Sequence, residues 1–92
     1  MTITEVRVAP VEASGGLVGF ASCLIDGWLY IGSMGVHRRL EGGYRITYPA
    51  QRVASRQLNV YRPITREAGQ IIEQAVVAKC LELFDRNNNG HY

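Results

Sequence analysis

The chain has 92 residues, 47% hydrophobic and 20% charged, which fits one globular domain whose core is thin enough that self-association is a common remedy. No apolar run reaches the roughly 20 residues of a membrane helix, and MTITEVRVAP lacks the pattern of a secretory signal, so no membrane partner and a cytoplasmic location are expected. The net charge of +2 is unevenly spread: residues 37–66 hold Arg38, Arg39, Arg45, Arg52, Arg56, Arg62 and Arg66 against Glu41 alone, and both flanks are net acidic.

The first two-thirds of the chain reads as strands. ITEVRVAPV alternates, with Val6 and Val8 on one face and Glu5 and Arg7 on the other. ASGG at 13–16 is turn chemistry, and LVGFASCLI at 17–25 is so apolar that a strand covered on both faces is expected. Asp26-Gly27 then separates two apolar runs, the strongest short hairpin signal, because a type I′ turn needs positive φ twice. WLYIGSMGV resumes the sheet, and Glu41-Gly42-Gly43 turns the chain into YRITY. There Tyr44, Ile46 and Tyr48 share a face opposite Arg45 and Thr47, and Pro49 closes the strand. LNVY at 58–61 reads as a short fifth strand ended by Pro63.

A helix follows, with Thr65 as N-cap, Glu67 in the first turn and a stop at NNNG after about Phe84. Ile64, Ala68, Ile71, Ile72, Ala75 and Val76 form one apolar stripe. Val77, Cys80, Leu81 and Phe84 form a second stripe along the other side. One small sheet covers one stripe, so the second is assigned to a subunit interface of a homodimer. The expected organisation is a single domain over residues 1–86 with a flexible polar tail at 87–92.

Catalytic motifs are few. His37 lies in a basic turn and His91 in the tail, neither at a spacing that makes a dyad or a metal site. Asp26 is explained by its turn and Glu73 by a solvated helix face. Asp85, Asn87, Asn89 and Gly90 match the opening of a calcium loop, but Tyr92 ends the sequence before the bidentate carboxylate the loop needs. Cys23 and Cys80 sit inside apolar runs as buried thiols. No enzyme activity, cofactor, metal or small-molecule substrate is expected. The arginines have two readings. They are either the wet face of a sheet or a phosphate-binding surface, and the scarcity of carboxylates among them favours the second.

Five segments, taken in order, resemble the SpoVG family, the stage V sporulation protein G or septation-regulator proteins of bacteria. TEVRV at 4–8 looks like its opening strand, and ASCLID at 21–26 like its A-S-x-x-L-D strand end. YPAQR at 48–52 is similar to its x-P-S-K-R element, NVYRPI at 59–64 to D-I-A-H-P-I, and IIEQAV at 71–76 lies at the expected distance in the final helix. The resemblance implies an α+β fold, a small antiparallel-rich sheet of about five strands followed by one C-terminal helix, dimerising through its strands. It also implies a regulator of gene expression, septation or sporulation that binds DNA and, in some members, RNA. Arg52 matches a family arginine, Gln51 stands where a lysine is usual, VAS replaces a T-P-D-G turn, Leu58 falls where many members carry arginine, and Arg62 takes the place of a histidine. The expected nucleic-acid contacts are therefore Arg52, Arg56, Arg62 and Arg66, with Arg38, Arg39 and Arg45 as a second tier. The alternative is a protein-interaction regulator of the same fold.

Overall fold

A computed structural model describes residues 1–85; the proposed tail, His91 and the rest of the calcium-like motif lie outside the described residues. Strands β1 (Ile3–Ser14), β2 (Leu17–Ile25), β3 (Leu29–Arg38) and β4 (Tyr44–Thr47) form an antiparallel meander in the order β1-β2-β3-β4. Two further strands, β5 (Ala50–Val53) and β6 (Arg56–Asn59), pair only with each other in a separate hairpin. Helix α1 (Arg66–Cys80) and a π-helical turn over Leu81–Asp85 complete the described chain. The fold is thus the expected α+β arrangement, with six strands in two sheets rather than five in one.

Local chemistry accounts for the elements. Asp26 and Gly27 adopt φ of 54° and 76°, as the β2–β3 hairpin turn requires. Thr65 is extended at φ −103° and its Oγ1 accepts the amide of Ala68 at 3.1 Å, satisfying one orphan donor of α1. Glu67 in the first turn and Lys79 in the last both suit the helix dipole. Ser33 marks a β-bulge: two residues of β3, Gly32 and Ser33, stand opposite Ser22, and Ser33 takes φ 61°. The extra residue lets Ile31 and Met34, three apart, both point into the core.

The core lies between one face of the meander and α1. Val8, Ala21, Cys23, Met34, Val36, Tyr44 and Ile46 from the sheet meet Ile72, Val76 and Cys80 from the helix. The buried stripe is therefore 72, 76, 80, turned relative to the expected one, and Ile64 and Ile71 remain exposed. Only one face of β2 is covered, since Phe20 stays 44% exposed on the other; the one helix of the described chain roofs a single side of the sheet. Glu73 is not a purely solvated side chain either: its Oε2 accepts the amide of Ile46 at 3.4 Å, closing the β4 edge.

Packing is tight where β1 and β2 pair at Pro10 and Gly19. A Cβ on Gly19 would lie 2.8 Å from the carbonyl oxygen of Ala9, and neither backbone can easily give way. Gly19→Ala is accordingly expected to destabilise the fold by about 1–3 kcal/mol, read as a lower urea midpoint with unchanged slope.

The second helical stripe is largely used within the chain. Cys80 is 0% exposed and has no surface to offer a partner. Phe84 stacks on Tyr44 with centroids 5.7 Å apart, Val77 is half-buried, and Leu81 alone of the four is exposed. Phe84, four residues after Cys80, packs against the same core from the π turn. Both cysteines are free and buried; burial pushes the Cys80 thiol up to about 11, helped by the nearby Asp85 charge, and raises Cys23 as well.

Candidate nucleic-acid interface

The β5–β6 hairpin stands away from the body. Its strands contact chiefly each other, and every residue from 50 to 60 is exposed. Its two-residue turn places Ala54 at φ 55°, a strained choice for a residue with a Cβ. The register pairs Arg52 with Gln57 and Val53 with Arg56. Opposed residues share a face and neighbours alternate, so Arg52 lies on one face with Ala50, Gln57 and Asn59. Arg56 lies on the other with Gln51, Val53 and Leu58. The two arginines thus point to opposite sides of one ribbon.

Aromatic side chains fasten the root of this arm. Tyr48 and Tyr61, just before and after it, meet edge to face with centroids 5.8 Å apart. The Tyr61 hydroxyl donates to the carbonyl of Gly32 at 2.6 Å, and the amide of Val60 donates to Pro49 at 2.8 Å. Burial, with smaller contributions from Cys23, Tyr48 and Tyr30, pushes the Tyr61 phenol from 10.0 to about 12. The fold thus favours the neutral phenol. Its stabilising contribution is complete below pH 10 and is lost as pH rises towards 12. An absorbance titration at alkaline pH is expected to show a late-ionising tyrosine that disappears in Tyr61→Phe.

The seven arginines do not form one patch. Arg62 lines an apolar cleft of about 360 Å³ with Met1, Ile25, Tyr61, Pro63 and Ile72, at the end of the sheet that carries the Asp26 turn. Arg66 opens α1, a few residues on. Arg38 and Arg39 lie at the other end, where the Arg38 amide donates to Gly16 at 2.8 Å. The length of β3 puts roughly 25–30 Å between these ends. Arg38 sits 5.1 Å from the centroid of the Tyr44 ring, a cation–π contact, whereas Arg45 pairs with His37 on the sheet face away from the helix. All seven are exposed, and among the described residues the salt bridges are Arg7–Glu5 and Lys79–Glu82, so none of the seven is paired with a carboxylate.

The tyrosines interleaved with the arginines serve the core and the root of the arm. Tyr44 is buried, with its hydroxyl donating to Asp85 at 3.0 Å, and Tyr48 and Tyr61 are half-buried. The exposed rings lie elsewhere, at Phe20, Trp28 and Tyr30. Sequence reading missed them because an apolar strand looks the same whether one face or both are covered.

The SpoVG family model matches residues 1–82, nearly the whole of the described chain. The chain belongs to the SpoVG family. No curated protein matches it significantly. SpoVG membership supports a regulator of the sporulation and septation kind, and the family is a regulatory rather than an enzymatic one. Within this SpoVG domain, the segment with the x-P-S-K-R likeness becomes β5, and the altered turn becomes the tip of the arm. Among the described residues no helix is long and apolar enough to cross a membrane, and no three His, Cys, Asp or Glu side chains group as metal ligands.

Proposed function

We propose that this chain regulates by binding nucleic acid, with its β5–β6 arm as the principal contact. The observation that carries the reading is the arm itself: a fully exposed two-stranded ribbon with a cation on each face and no carboxylate beside either. A two-stranded ribbon fits the major groove of a duplex, and cations on both its faces would meet phosphates on both walls. Arg62 and Arg66 would add contacts near the arm's root, while Arg38, Arg39 and Arg45 would act as a separate second contact at the far end. Phosphate neutralisation of this kind gives affinity and positioning more than sequence reading. A homodimer, with the exposed Leu81 and the half-buried Val77 and Phe84 at its contact, would present two arms and gain avidity where both engage one molecule. Sedimentation that shows only monomer at micromolar concentration would remove the dimer from this scheme.

Fluorescence anisotropy with duplex and single-stranded oligonucleotides at low salt tests the proposal. Binding that falls steeply with added salt is expected, and absence of binding to either would overturn it. A second reading is a protein-interaction regulator, favoured by the exposed Val53 and Leu58 beside Arg56 on one arm face. It predicts weak, length-independent oligonucleotide binding and a discrete protein partner in a pull-down.

A further inference from the structure

The face of the meander turned away from α1 is left uncovered by the described chain and carries two exposed rings, Phe20 and Tyr30. The register places Phe20 between Ala9 and Gly35 across the sheet, so no large neighbour shields its ring. Tyr30 is 67% exposed, and its ring runs over Gly32, where a Cβ would come within 2.7 Å of the hydroxyl and 2.9 Å of the ring. Phe20, Tyr30, Ser22, Ser33, Ala9 and Arg7 line one open hollow of about 480 Å³. Small residues around two bare rings leave flat π-surface open to solvent. Charge points the same way. Arg7 stands at the rim, its ion pair with Glu5 long at 3.9 Å and highly exposed, and Arg45 stands on the same face beside His37. An exposed pair at that distance leaves Arg7 available to another anion.

We propose that this open sheet face is a stacking site for single-stranded nucleic acid, with bases on Phe20 and Tyr30 and backbone phosphate on Arg7 and Arg45. Every base has a π-face, so such a platform tolerates sequence, and paired bases inside a duplex cannot reach it. The proposal rests on the nucleic-acid reading above and names a second, separate surface: the ribbon holds phosphates, and the sheet face holds unpaired bases.

The test titrates the full chain with a short oligo(dT), its RNA counterpart and a blunt duplex, following anisotropy and the fluorescence of the single tryptophan, Trp28, two residues from Tyr30. Single strands are expected to quench Trp28. Phe20→Ala and Tyr30→Ala are each expected to weaken single-strand binding roughly 5- to 150-fold, with duplex affinity and the salt slope unchanged. Phe20→Tyr and Tyr30→Phe, which keep a ring, should retain binding, and if Phe20→Ala does not fold, Tyr30→Ala at the more exposed ring carries the test alone. Single-strand binding that survives loss of both rings overturns the stacking site while leaving the arm reading intact. So does loss of both rings that turns a dimer into a monomer without weakening single-strand binding, since a second copy then covers this face. Wild-type protein that binds no oligonucleotide removes both proposals together.

Discussion

An Arg52→Ala/Arg56→Ala double variant is expected to bind oligonucleotide roughly tenfold more weakly than the wild type, without loss of stability. Its plot of log affinity against log salt should be shallower by about 1.8 for duplex and about 1.4 for single strands, if each guanidinium neutralises one phosphate. Neither side chain is buried or ion-paired among the described residues, so the melting temperature should hold, the effect on stability staying within about 0.5 kcal/mol. The two single variants carry further information. Because Arg52 and Arg56 sit on opposite faces of the ribbon, a ribbon lying in a groove loses about equally from either. A ribbon lying flat on a backbone loses from one only. An unchanged slope in the double variant would transfer the phosphate contacts to Arg62 and Arg66 or to the far end of the sheet.

Met34→Ala should produce the largest loss of stability. Met34 is completely buried in the cluster that all four strands of the meander form with α1, directly after the Ser33 bulge. Truncating it removes apolar contacts and leaves a cavity that a rigid sheet cannot close, at a cost of about 2–5 kcal/mol. Against a total stability of about 5–15 kcal/mol this is a large fraction. For a domain of this size it corresponds to a fall in melting temperature of roughly 10–30 °C. Leu40→Ala, at a fully exposed turn position, is the matched control and should leave the melting temperature within a degree or two. A Met34→Ala variant that melts with that control would mean the sheet and helix do not share the core described.

The parts of the fold legible in the sequence are those fixed by local chemistry. The Asp26-Gly27 turn and the Thr65 cap each depend on one or two residues whose backbone or side chain admits few alternatives. The Ser33 bulge was not legible, because Ile31 and Met34, three apart, break the strand period of two and share a face only once the extra residue is known. The sequence shows only the second half of the β5–β6 hairpin, as the strand at LNVY, since Ala54 and Ser55 lack the glycine or asparagine that usually announces a tight turn. The second helical stripe pointed to a partner, whereas Cys80 and Phe84 are accommodated by the chain's own sheet. For the site, charge density located the basic segment, but only strand register shows which arginines share a face. The exposure of Phe20 and Tyr30 depends on which side of the sheet the helix chooses, and composition does not encode that.

The arm's isolation also has a consequence for how the molecule can be cut. Trypsin cleaves after arginine, and Arg52 and Arg56 lie in the most accessible stretch of the described chain. A nick there separates β1 to β4 from α1 in covalent terms, yet Ile72, Val76 and Cys80 remain seated among the sheet residues of the core. Brief digestion is therefore expected to give two bands on a denaturing gel and one species on a native column. The two pieces would be a reconstituting pair whose joint is the arm proposed to bind nucleic acid.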